Sequence, residues 1–217
     1  DRLLSAGYVR CQQVEGVGQF ALRGGILDVF SPLMDQPLRC EFFDDEIDSM
    51  GAFDPGTQRR TANLDSALIL PAAEVLPRQA KGGLEGLGEK LLALAGKLEK
   101  KGSPAAAHLR EDGERLKNGS VPEGMDRYLT AVYPKAAAGV HYLPQDALVF
   151  LCEAGRVDER VKGALLQNRQ DLETLMEAGI LAGDYAKLLL SAEELYAALE
   201  AFPVIMAGAL PTSRYPY

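Results

Sequence analysis

Glu41, Asp44, Asp45, Glu46 and Asp48 set five carboxylates within eight residues, the hard oxygen donors that a divalent cation takes. Their spacing works against a metal. Side chains alternate along a strand, so Glu41, Asp44 and the others do not converge on one point, and the cluster reads as a solvated hairpin tip. Gly16-x-Gly18 and Gly24-Gly25 have the composition of a phosphate loop. That chemistry needs GxxxxGK[ST] between a strand and a helix, and the sequence has none, so these glycines read as turns between strands. Cys11, Cys40 and Cys152 are scattered, and His108 and His141 are the only histidines. No pair has metal-ligand spacing, and an odd cysteine count does not make a disulfide framework. Cys40 and Cys152 lie in apolar runs and are expected to be buried thiols. No catalytic residue, metal ligand or cofactor-binding residue is expected in this chain.

Recognition chemistry is better represented. In Leu38–Phe43, Leu38, Cys40 and Phe42 fall on one face of a strand and Arg39, Glu41 and Phe43 on the other. The first set is a core face. The second puts an aromatic ring and an arginine on the polar side, and Arg23 falls on the polar face of its own strand. Aromatic and Arg residues dominate protein-binding hot spots. Alternation alone leaves two readings open. Either Phe43 is an exposed anchor flanked by Arg23 and Arg39, or a neighbouring element covers the ring and both arginines make surface ion pairs.

One further segment resembles a nucleotide-binding element. Leu148-Val149-Phe150-Leu151-Cys152-Glu153 is similar to a Walker B strand, where an apolar run ends in Asp-Glu holding Mg²⁺ and the attacking water. Cys152 occupies the Asp position, and a thiol cannot replace a hard carboxylate on Mg²⁺. A strand descended from an ATPase, but not working as one, is the expectation.

The elements that must position these residues divide near Pro77. Before it, Leu3–Ala6 suits a short helix stopped by Gly7. Strands are expected at Tyr8–Val14, around Phe20–Leu22, at Ile26–Phe30, Leu38–Phe43, Glu46–Phe53 and Ala67–Leu70. Asp44-Asp45 and Asp54-Pro55-Gly56 serve as turns. Beyond Gly82-Gly83, Leu84, Leu87, Leu91, Leu94 and Leu98 stripe one helix face. Gly102-Ser103-Pro104 breaks to a second helix reaching Lys117, and Met125, Tyr128, Leu129 and Val132 stripe a short third. Ala147–Cys152 reads as a strand buried on both faces of a parallel sheet. A long helix over Val157–Ala178, a capping box at Ser191–Glu194 and a strand at Val204–Met206 follow. The fold class expected is α+β: a small antiparallel-sheet domain over 1–77, then a helix-rich 78–217 with strands of an α/β sheet.

With 217 residues, 47% hydrophobic and 25% charged, the composition is that of an ordinary globular chain. No apolar run approaches the ~20 residues that span a bilayer. No export leader opens the chain, and a reducing cytoplasm suits the cysteines. Starting at Asp1 and ending at Tyr217, it reads as a piece of a longer protein. The net charge of −8 disfavours non-specific binding to nucleic acid, whose phosphates call for Lys and Arg.

Arg23-Gly24-Gly25-Ile26-Leu27-Asp28-Val29-Phe30, Arg39-Cys40-Glu41-Phe42-Phe43-Asp44-Asp45-Glu46-Ile47-Asp48-Ser49 and Phe53-Asp54-Pro55-Gly56-Thr57-Gln58-Arg59-Arg60 together resemble the signature of the bacterial transcription-repair coupling factors. Pro71-Ala72-Ala73-Glu74, Glu123–Tyr128 and Tyr142–Phe150 are similar to the same family in the same order. The resemblance covers most of the chain and is most specific over the first 77 residues. UvrB shares much of the pattern, but Thr57-Gln58-Arg59 and Pro71-Ala72-Ala73-Glu74 favour the coupling factors.

The resemblance implies the amino-terminal, UvrB-like module of that family: a small α+β domain that binds UvrA, inserted in a degenerate helicase-like (RecA-like) α/β domain of which 78–217 is part. It implies that Arg23, Arg39 and Phe43 contact UvrA, that alanine at Arg39 or Phe43 weakens that binding, and that the fragment itself is no enzyme. The parent would be an ATP-dependent DNA translocase, needing ATP and Mg, that acts on stalled RNA polymerase and double-stranded DNA and links them to nucleotide excision repair. Two other classes compete. A nucleotide hydrolase with its phosphate loop upstream is opposed by Cys152, and a UvrB-type damage-verification protein gripping DNA is opposed by the charge.

Overall fold

Residues with alternating apolar side chains and turn chemistry between them fold as hairpins, and the first third of the chain is built that way. A computed structural model describes residues 1–135 and 137–208. They divide into two compact units, Asp1–Leu84 with Glu123–Asp126, and Glu85–Pro122 with the residues from Arg127 onward.

In the first unit, helix α1 (Arg2–Ser5) precedes strands β1 (Val9–Arg10), β2 (Gln19–Arg23), β3 (Ile26–Val29), β4 (Leu38–Phe43), β5 (Glu46–Phe53) and β6 (Arg60–Asn63). They form one sheet in sequence order. The pairs from β2 to β6 are antiparallel, but β1 runs parallel to β2. The sheet is therefore mixed rather than purely antiparallel. The expected strand Tyr8–Val14 shrinks to two residues, because Gly16–Gly18 sends the chain back to start β2 alongside β1. The expected strand at Ala67–Leu70 is absent. Its place beside the sheet is held by side chains instead, with the Ser31 hydroxyl accepting from Leu70 N and the Tyr8 hydroxyl donating to Leu70 O. The outer strand is β6, whose four exposed residues carry no apolar alternation to betray a strand.

Both faces of this sheet are covered at the same end. Phe20 and Val29 pack with Tyr8, against Leu3, Leu4, Leu27 and Ala72. On the opposite face Ala21, Phe30 and Phe53 pack with Val14. Leu38 and Cys40 are buried as strand alternation requires, while Phe42 is half-buried.

The second unit contains α2 (Gly83–Glu99, whose first two residues belong to the first unit), α3 (Ala105–Lys117), α4 (Leu129–Val132), β7 (Val149–Cys152), α5 (Ala154–Glu177), α6 (Ala192–Leu199) and β8 (Val204–Ala207). The leucine stripe of α2 buries Leu87 and Leu91, and α3 buries Leu109 and Leu116. Each such side chain contributes about 1.5–3 kcal/mol on leaving water. The helices meet where they carry no side chain: a Cβ on Gly88 would lie 2.7 Å from Gly113 O, and one on Gly113 would lie 3.0 Å from Gly88 O. Asp112 is buried beside them, accepting from Tyr128 Oη and Arg127 Nη2 at 2.6 Å each. The Tyr128 ring meets Tyr185 edge-on at 5.8 Å.

Strands β7 and β8 pair in parallel with α5 and α6 between them in sequence. The strand expected to be buried on both faces is not. Val149 and Leu151 are half-buried, Phe150 and Cys152 exposed, and all four residues of β8 exposed. Parallel strands read as apolar runs because layers normally cover both faces. Among the described residues this sheet has two strands, and neither α5 nor α6 buries a residue. Cys152 is accordingly an exposed thiol rather than a core one.

Candidate functional site

The polar face of the amino-terminal sheet is organised by a residue that reading for exposed groups passed over. Asp28 lies in the apolar run Ile26–Phe30 and is completely buried. A buried carboxylate must be paired, because its desolvation is otherwise prohibitive. The strand register supplies the partners. Asp28 sits directly opposite Arg39 on β4 and opposite Ala21 on β2, two residues from Arg23. Arg39 grips Asp28 with both arms of its fork, Nε to Oδ1 at 2.7 Å and Nη2 to Oδ2 at 2.8 Å. Arg23 Nη2 donates to Oδ2 at 2.6 Å. The charge buried inside an otherwise apolar strand was the available signal for Asp28.

The two arginines differ in how much of them remains free. The Arg39 side chain is 16% exposed. Beyond Asp28 it donates to Gln58 O at 3.1 Å and Gln58 Oε1 at 3.2 Å, and its guanidinium lies 4.3 Å above the centre of the buried Phe53 ring. Hydrogen bonding to Asp28 raises its pKa above the ordinary value, so it stays cationic throughout the working range. Gln58 has φ of +61°, a left-handed conformation uncommon for a side-chain-bearing residue. It is held there by the turn before it, in which Asp54 Oδ1 accepts from Thr57 N at 2.6 Å and Asp54 O accepts from Gln58 N at 2.7 Å. Its own amide donates to Pro55 O at 2.7 Å and Val14 O at 3.3 Å. The expectation that Arg39 is a surface group is thus corrected: it is largely covered, with most of its donors engaged, and it lies over Phe53. The Arg23 side chain is 45% exposed, and Asp28 is the only acceptor its guanidinium meets among the described residues.

Phe43 is 80% exposed. It closes β4 opposite Glu46, with Asp44-Asp45 as the turn. Asp44 takes φ of +56°, which Asp tolerates better than most residues. The register runs Arg23, Ile26, Glu41 across three strands with Phe43 two residues beyond Glu41. The β4–β5 pairing shifts register between Glu41 and Phe42, and the strand pairing puts Arg23 and Phe43 toward the same end of the sheet. Glu41 between them accepts from Ser49 Oγ at 3.0 Å, and Ser49 accepts from Arg60 Nη1 at 3.1 Å. The carboxylates of the tip do not gather: among the described residues no three His, Cys, Asp or Glu side chains are grouped as around a metal ion.

Residues 1–75 match the family model described as the UvrB interaction domain. The amino-terminal residues belong to the UvrB interaction domain family. Across 187 residues, 84% of this chain, the sequence is 32% identical to the transcription-repair-coupling factor of Bacillus subtilis (strain 168), covering 16% of that protein. Over 75 residues it is 52% identical to the transcription-repair-coupling factor of Myxococcus xanthus, 35% of this chain and 6% of that one. The same-named protein of Staphylococcus aureus (strain Mu50 / ATCC 700699) is 27% identical over 209 residues, 94% of this chain and 18% of its own length. The chain spans less than a fifth of the length of these relatives. The resemblance to the transcription-repair coupling factors stands, and the six-stranded sheet that carries Arg23, Asp28, Arg39 and Phe43 lies within the residues that match the UvrB interaction domain.

Proposed function

We propose that this chain is a non-catalytic module that recruits UvrA within a transcription-repair coupling factor. The observation that carries this reading is an unburied Phe43 toward the same end of the sheet as a half-exposed Arg23, in a domain of the UvrB interaction family. A large exposed ring next to a guanidinium has the makings of an interface hot spot. Phe43 would fill an apolar pocket on UvrA and Arg23 would pair with a carboxylate, with Arg39 completing the charged face behind them. The acidic balance of the chain, −8, suits a protein partner rather than DNA.

Residues 78–217 act in this reading as part of a degenerate helicase-like α/β domain. Support comes from the parallel pairing of β7 with β8 and the helices between them, and from Cys152 in place of the Mg²⁺-binding Asp. ATP hydrolysis, DNA translocation and the encounter with stalled RNA polymerase, in the cytoplasm, belong to the rest of the parent protein.

Calorimetry with purified UvrA tests the assignment, with Phe43→Ala as the comparison. Binding in the micromolar range or tighter, weakened by about 1–3 kcal/mol in the variant, is the expected result. Equal binding by both proteins would remove Phe43 from the interface, and no binding by the folded wild-type chain would overturn the recruiting role.

A further inference from the structure

We propose that Asp28 is a positioning residue for partner recognition, presenting Arg23 to a carboxylate on the partner, and that Gln58 and Arg39 act through it. The inference rests on the reading that the end of the sheet bearing Arg23 and Phe43 is the UvrA-binding face. It adds the buried apparatus that aims that face.

An arginine on a strand edge samples many rotamers, and a partner that fixes one of them opposes that lost freedom. Arg23 is already fixed at one end by the 2.6 Å bond from its Nη2 to Asp28 Oδ2. That bond is useful only if Asp28 cannot move. Its two oxygens are held by the fork of Arg39, and Arg39 is held by the Gln58 carbonyl, the Gln58 side chain and the face of Phe53. Order passes from the Gln58 turn through Arg39 and Asp28 to the more exposed guanidinium of Arg23, which has donors to spare. The arrangement also sets the charge. Two guanidinium groups around one carboxylate leave a single positive charge, carried outward by Arg23, which favours a carboxylate acceptor over a neutral one.

Geometry and bare electrostatics make opposite forecasts for Asp28→Asn. Removing a negative charge beside two arginines makes the face more positive, so charge alone predicts tighter binding to an acidic site. Loss of the anchor predicts weaker binding. The test is a double-mutant cycle on the full 217-residue chain, read as calorimetric affinity for purified UvrA. Asp28→Asn is made in the wild-type and Arg23→Ala backgrounds, and a thermal melt verifies that each protein is folded. The expected result is a loss of roughly three- to tenfold in the wild-type background and less than about twofold once Arg23 is gone, since without Arg23 there is nothing left to aim. Phe43→Ala should add its loss independently to that of Asp28→Asn. Unchanged or tighter binding by Asp28→Asn, or the same loss in both backgrounds, overturns the positioning role. If Asp28→Asn does not fold, Gln58→Ala takes its place in the same cycle with the same pattern expected, because its side chain lies in a turn outside the sheet. Binding by wild type that Asp28→Asn leaves intact overturns this inference alone, whereas no binding by wild type removes the functional reading beneath it.

Discussion

Arg39 and Phe43 sit four residues apart on one strand, yet substitution should separate them cleanly. Arg39→Ala leaves Asp28 buried with a single bond to Arg23 and uncovers Phe53. A broken buried ion pair is costly, and with Arg23 remaining we expect a loss of about 2–4 kcal/mol, measured as a lower urea midpoint. Phe43→Ala should leave that midpoint within about 0.5 kcal/mol of wild type, since the ring is largely in solvent. A binding loss in Arg39→Ala therefore has to be read beside its melt, while one in Phe43→Ala can be read directly. The sequence placed Arg23, Arg39 and Phe43 on one face by alternation, which holds wherever a strand is regular. It gave no hint that Arg39 is largely engaged internally, because that depends on Asp28 across the β3–β4 register and on a left-handed Gln58 nineteen residues downstream.

Secondary structure elements were most readable where periodicity was strong. The leucines of α2 and the capping box of α6 form as expected, Ser191 Oγ accepting from Glu194 N at 3.1 Å and Glu194 Oε2 from Ser191 N at 2.9 Å. Edge strand β6 escaped notice because the four residues Arg60–Asn63 are all exposed and carry no apolar alternation. The reading of Ala147–Cys152 as a doubly buried strand assumed covering layers that the described residues do not supply. Close helix contacts are also invisible to periodicity. Gly88→Ala raises intrinsic helix propensity, worth up to about 1 kcal/mol. Yet its methyl would meet Gly113 O and Lys117 Cγ at 2.7 Å. Backbone cannot retreat as a flexible side chain can, so we expect net destabilisation of about 1–3 kcal/mol in chemical denaturation, with Gly96→Ala, where nothing lies in the way, stabilising instead.

For the molecule as a whole, alkaline pH should act chiefly through the helical unit. Burial pushes the Tyr185 phenol up to about 12 from its ordinary 10.0, and burial raises Tyr128 as well. Phenols with raised folded-state values favour the native state fully below pH 10. That stability declines as pH rises from 10 through about 12, since only the unfolded chain gives up these protons readily. Helical ellipticity should be lost over this window. Tyrosinate absorbance from these two rings should rise with unfolding rather than ahead of it. The growing negative charge, on a chain already at −8, pushes in the same direction.

The openness of the β7–β8 pair has a practical use. Cys152 faces solvent on β7, whereas Cys11 is partly and Cys40 fully buried, and burial raises the pKa of both of those thiols. Near neutral pH a maleimide dye should therefore couple first to Cys152, in native sequence and without mutagenesis. A fluorophore there would sit on the exposed parallel strand, where its emission would register any chain that comes to lie against it.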